Sequence, residues 1–161
     1  MQLPRMFRLQ QTFDCPTLTD VPAEVERELS TLDFAGRIEP GETVAITAGS
    51  RGVANIAAIL RTTVEHFQRL GAVPYLVPAM GSHGGATAEG QLAVLARYGI
   101  TPESMGCEIR SSMDTVVVGS TSLGFAVHFD SHAHAADHVF VANRVCGLTR
   151  FTTKTWSAAC A

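Results

Sequence analysis

Charge is scarce in this chain. Only 17% of its 161 residues are charged, and the formal net charge is −3 with histidine neutral. No strong basic patch stands out, so nucleic acid is not expected as a partner; phosphate backbones are held by clustered lysine and arginine. Long apolar runs are also missing. No stretch approaches the ~20 residues of a membrane-spanning helix, so no membrane partner is expected. The opening "MQLPRMFRLQQTFDCP" has no continuous apolar core and does not read as a signal peptide. The four cysteines, Cys15, Cys107, Cys146 and Cys160, lie far apart and form no CxxC pair. Neither a zinc knuckle nor a thioredoxin-like motif is supported. Free thiols in a reducing cytoplasm are the expectation.

Hydrophobic residues make up 46% of the chain, enough for a real core, and the length suits one compact domain. "VPAEVERELSTL" carries Val21, Val25, Leu29 and Leu32 at helical spacing, with Asp20 as N-cap. "RIEPGE" reads as a turn. "TVAITAG" is a short, largely β-branched run, the pattern of a strand buried on both faces. "VANIAAILRTTVEHFQRLG" follows, with Val53, Ile56, Ala57, Leu60, Val64 and Phe67 on one stripe and Gly71 closing the helix. "VPYLVPA" is a second buried strand. After a glycine loop, Thr87 caps a helix that runs to about Tyr98 and is closed by Gly99.

This βαβα order implies a parallel sheet. From Cys107 the pattern changes. "TVVVGS" and "FAVHFD", joined by "TSLG", form a hairpin; "SHAHAAD" is a short helix or turn; "HVFVANRV" is one more apolar strand. The expected fold is α/β, a Rossmann-like, mostly parallel sheet with flanking helices plus a β-hairpin. No internal repeat or low-complexity segment is present.

Ligands of open parallel sheets bind beyond the carboxyl ends of the strands. Three strands deliver residues there: Ser50 and Arg51 from the first, Gly81, Ser82, His83, Gly84 and Gly85 from the second, Asn143 and Arg144 from the last. The three loops are expected to converge on one site. The glycines permit positive φ and close approach of a ligand to the backbone. Their amides at a helix start suit an anion. A histidine between glycines projects toward a ligand, although a lone histidine is as often structural. Arg51 at a helix start opposes the helix dipole and is a natural carboxylate clamp, or else a surface charge. The loop matches neither GxGxxG nor GxxxxGK[ST], so nucleotide phosphate binding has little support. His128, His132, His134 and His138 with Asp130 and Asp137 invite a metal reading, but they straddle a helix-to-strand boundary. A solvated rim is the better reading, and no metal ligands are assigned.

"AITAGSRGVANIAAILR", "VPAMGSHGGATAEGQ", "CEIRSSM" and "VFVANRV", in that order, resemble the nickel-pincer lactate racemase family, from about Thr43 to Val145. The resemblance implies an isomerase acting on 2-hydroxyacids. In that family a nickel-pincer nucleotide takes the Cα hydrogen as hydride while a histidine removes the hydroxyl proton. It places His83 at one of two acid–base histidines and Arg51 at an arginine that holds substrate or cofactor. Ser50, Ser82, Gly84, Gly85, Asn143 and Arg144, delivered to the same edge by the three strands, are the candidate substrate- or cofactor-binding residues. Where family members carry an acidic residue before the arginine, Ala48 and Gly49 stand here.

The resemblance also implies a longer protein. After "NRV" the family continues with a lysine and a second histidine, whose place is held here by Leu148, in "CGLTRFTTKTWSAACA". The family's covalent cofactor lysine and nickel-ligating histidine would lie beyond Ala161. The expectation is therefore an incomplete N-terminal domain over 1–145 with an atypical tail over 146–161. One back-translation of "TTKTWSAACA", shifted by one nucleotide, reads His-His-Glu-Asp-Leu-Glu-Arg-Gly-Leu-Arg, similar to the expected family segment; a frame-shifted end is the corresponding hypothesis. On this reading the cofactor is not retained, turnover by the chain alone is not expected, and an uncovered apolar face favours self-association. Two alternatives stand beside the isomerase: a non-catalytic α/β domain binding a carboxylate or nucleotide, and a hydrolase or lyase with His83 as general base. For the last, no nucleophile and Asp partner can be placed from sequence.

Overall fold

The computed structural model describes residues 8, 10, 17–50 and 53–143. Its architecture is α/β. Helix α1 (Val21–Ser30) starts where Asp20 accepts a hydrogen bond from the Ala23 amide at 3.0 Å. Strand β1 (Thr43–Ala48) is followed by α2 (Ile56–Arg69), β2 (Val73–Pro78) and α3 (Ala88–Arg97). Then come a one-turn helix α4 (Pro102–Met105), the strands β3 (Thr115–Ser120) and β4 (Ala126–Asp130), a second one-turn helix α5 (Ser131–His134) and β5 (His138–Phe140).

The main sheet is parallel with strand order β2-β1-β5. Val44, Ala45 and Ile46 of β1 are buried, as are Tyr75, Leu76 and Val77 of β2. The two runs without polar alternation are thus covered on both faces, as such runs must be. One face carries the main core, where Leu60, Val64 and Phe67 of α2 meet Ile46, Leu76 and Leu95. Phe34, Phe67 and Phe140 pack edge to face there, with ring centroids 5.2 to 6.1 Å apart. On the other face Ala45, Tyr75 and Val77 meet Ala133 of α5. β3 and β4 form a separate antiparallel hairpin with an irregularity between Val117 and Gly119.

Three elements depart from the sequence expectation. α2 begins at Ile56, because Asn55 sits at φ 58° and breaks the stripe before it; Val53 is therefore not helical. α4 was hidden in a short stretch and owes its existence to a reciprocal cap between Thr101 and Ser104. The last strand is three residues long, since only His138 to Phe140 pair with β1. Among the described residues no helix is long and apolar enough to cross a membrane.

Candidate functional site

The carboxyl ends of the three parallel strands are tied together by the backbone. The Ala79 amide donates to the Ala48 carbonyl at 2.8 Å, extending the β1–β2 ladder past its last pair. The Ala142 amide donates to Thr47 Oγ1 at 3.0 Å, holding the exit of β5 against β1. The loops after β1, β2 and β5 therefore leave side by side. Arg51 and Arg144 lie outside the described residues, so the structure speaks to Ser50, Ser82, His83, Gly84, Gly85 and Asn143.

Ser50 and His83 meet. Ser50 Oγ hydrogen-bonds His83 Nδ1, and Ser50 is only 8% exposed. Together with Gly84, Val94 and Tyr98 they line an open cleft of about 320 Å³. His83 opens a tight turn, His83–Ala86, between β2 and α3, in which Gly84, Gly85 and Ala86 are left-handed at φ 67°, 73° and 53°. The start of α3 is capped by Thr87, whose hydroxyl accepts from the Gly90 amide at 3.1 Å. Ser82 is exposed at the head of the turn, its carbonyl accepting from the Ala86 amide at 3.2 Å.

The glycines divide in purpose. Gly84 has φ +67°, and a Cβ there would lie 2.5 Å from Gln91 N and Gly90 O. Its bareness is required by the approach of the loop to the α3 backbone. Gly81 at φ +57° and Gly85 at φ +73° have open space around their missing Cβ atoms and leave room for a ligand against the chain. Buried Gln91 fixes the loop from behind, donating from Nε2 to the Gly81 carbonyl at 2.8 Å. Gln91 was not among the residues expected at the site. Its signal was a polar side chain four residues before Leu95, on the inward stripe of α3.

Asn143 does not line the His83 cleft. It lines a second cavity of about 530 Å³ between the parallel sheet and the hairpin, with Thr47, Met80, Gly81, Gln91, Asp114 and His128 among its walls. "CEIRSSM" builds one wall of it. Ile109 bridges to Leu76, with Leu76 N–H donating to the Glu108 carbonyl at 2.9 Å and Arg110 N–H to the Leu76 carbonyl at 2.8 Å. Arg110 lies 3.9 Å over the Tyr75 ring. Ser111 then donates to the Ala88 carbonyl at 3.1 Å, and Ser112, Met113 and Asp114 face the cavity. Among the described residues, Gly81 stands in the wall of the larger cavity and His83, two residues on, in the wall of the open cleft.

The histidine and aspartate run of 128 to 138 is spread over separate contacts. Asp137 accepts from the Thr43 amide and hydroxyl at 2.8 and 2.7 Å, and these bonds hold its carboxyl below the usual range. His138 Nε2 pairs with Glu42 at 2.8 Å. Glu42 is likewise lowered, first by the Glu39 amide and then by His138. Asp130 caps α5 through the Ala133 amide, and His128 Nδ1 meets Thr115 Oγ1 at 3.0 Å. Among the described residues no three His, Cys, Asp or Glu stand together that could hold a metal.

No protein-family model and no curated protein matches the chain.

Proposed function

We propose that the carboxyl edge of the sheet is the acid–base half of a 2-hydroxyacid isomerase site, similar to that of the nickel-pincer lactate racemase family. The ligand is a small 2-hydroxyacid or related carboxylate. The observation that carries this reading is the bond between Ser50 Oγ and His83 Nδ1 in the open cleft. It makes Nδ1 the structural nitrogen and sets the state of Nε2. When Nδ1 donates to Ser50, Nε2 holds the lone pair and accepts the substrate hydroxyl proton. Taking that proton gives an imidazolium that still donates from Nδ1 to Ser50, and the same imidazolium returns the proton from Nε2. A reversible isomerisation uses both states. Arg51, next in the chain after Ser50, is assigned to the carboxylate. A buried Ser50 orients the ring; at 8% exposure its hydroxyl is poorly placed to attack a substrate, which disfavours a serine hydrolase.

The family's tethered cofactor does not fit the described residues. Its covalent anchor is a lysine, and the chain's one lysine is Lys154, outside them. Nor do they supply a metal-holding cluster. The proton transfers at His83 do not run through that group, and the chain alone is expected to bind 2-hydroxyacids without racemising them.

The test is titration of the full chain with D- and L-lactate, followed at the His83 imidazole by NMR. Saturable shifts that are lost in Arg51→Ala and displaced in Ser50→Ala support the reading. No shift at His83 at any lactate concentration refutes it. Turnover of lactate by the purified chain, abolished by His83→Ala, would refute the expectation of binding without racemisation.

A second reading is favoured by the larger cavity. At about 530 Å³, and without His83 in its wall, it suits a bigger molecule held without chemistry, such as a nucleotide. Nucleotide binding that leaves the His83 resonances unmoved would select it.

A further inference from the structure

The hairpin β3–β4 exposes apolar side chains that the other described residues do not cover. We propose that it is a self-association surface whose occupant is a second copy of this chain, paired two-fold through the hairpins. This is independent of the chemistry assigned to His83.

The strand register puts Val116, Gly119, Val127 and Phe129 on one face, because Val116 pairs with Phe129 and Gly119 with Val127. Phe125 continues that face, and Val118 sits at the irregularity beside it. Exposure is 81% at Leu123, 68% at Phe125, 48% at Val118, 40% at Val127 and 39% at Phe129. With Leu123 in the connecting turn, these fractions amount to roughly 500 Å² of apolar surface along the hairpin, toward the upper end of what a monomer carries in its largest patch. Two such patches together bury about 1,000 Å², the threshold of a specific interface.

Three further observations select a second copy as the occupant. From Thr115 to Phe129 there is no Asp, Glu, Lys or Arg, although the chain as a whole carries a net charge of −3. Two hairpins can therefore meet without like charges in opposition, and neither offers a charge for an unlike partner to read. The sheet has two strands, so each strand has an outer edge with no ladder partner among the described residues. Open edges of identical strands pair with each other, and a two-fold contact makes one patch serve both sides. Finally, a two-stranded hairpin is marginal in water without something packed on it.

Sedimentation velocity of the full chain over a concentration series tests the proposal. Wild type is expected to pass from a 17.2 kDa species to one of twice that mass. Phe125→Asp buries a charge at the contact and is expected to weaken dimerisation by at least about 30-fold. Leu32→Asp, at an exposed leucine just past α1, is expected to leave it unchanged. Hydrogen exchange on wild type needs no substitution: amides of 115–130 should gain protection at dimer-forming concentration. A monomer at every concentration overturns the proposal. So do open-ended aggregation, an equal effect of Leu32→Asp, or protection that rises elsewhere and not on the hairpin.

Discussion

Gly90→Ala reverses an ordinary expectation. Gly90 lies in the first turns of α3, and alanine in a helix is normally better than glycine by about 0.5–1 kcal/mol. Here the α3 backbone is met by the glycine loop. A Cβ at Gly90 would overlap the Gly84 carbonyl oxygen, with the carbonyl carbon at 2.7 Å and Thr87 Oγ1 at 2.8 Å. Backbone cannot swing aside as a flexible side chain can. The loop must shift, and overpacking of this kind costs roughly 1–3 kcal/mol. Set against the helix gain, the net is a loss of up to about 2 kcal/mol, or up to roughly 8 °C in Tm for a chain of this size. Gly85→Ala is the control. Its φ is positive and nothing lies within 4 Å of its Cβ, so it carries only the left-handed strain of about 1–2 kcal/mol. The two variants separate in a second readout. Displacing Gly84 moves the adjacent His83, so Gly90→Ala should alter the Ser50–His83 bond and the imidazole resonances, while Gly85→Ala should alter them less. Thermal melts followed by circular dichroism, with imidazole NMR, decide it. A Gly90→Ala chain more stable than wild type refutes the close approach of loop and helix.

Cys107 is half-buried, and burial pushes its thiol up to about 11. Mass mapping after iodoacetamide at pH 8 should find it alkylated far more slowly in the folded chain than in urea; equal rates would deny its burial. Asp137 is held below its ordinary carboxyl range by Thr43. A depressed folded pKa contributes stability above the unfolded value, and that contribution disappears as pH falls through the folded one. Asp137→Asn should therefore lower stability at pH 7 and flatten the acid limb of the stability curve below about pH 4. An acid limb identical to wild type would show that the Thr43 bonds contribute nothing.

Much of this fold was local and therefore readable in the residues themselves. Uninterrupted apolar runs made β1 and β2 buried strands. One stripe made the body of α2, and Gly71 ended it at φ +85°. Asp20 and Thr87 capped the helices they precede. Chain order placed Ser50 and the His83 loop at the same sheet edge, because parallel strands share their carboxyl ends. Tertiary structure decided what depends on distant partners. Asn55 in the left-handed region moved the start of α2. Ile109 found the edge of β2 without a strand pattern to announce it. Gly84 proved to serve the α3 backbone, leaving Gly81 and Gly85 as the open positions. Ser50 and His83 are 33 residues apart, and no spacing rule states that their side chains touch. Asn143 went to the neighbouring cavity for the same reason: strand order fixes which edge a loop occupies, whereas side-chain packing across that edge fixes which opening it lines.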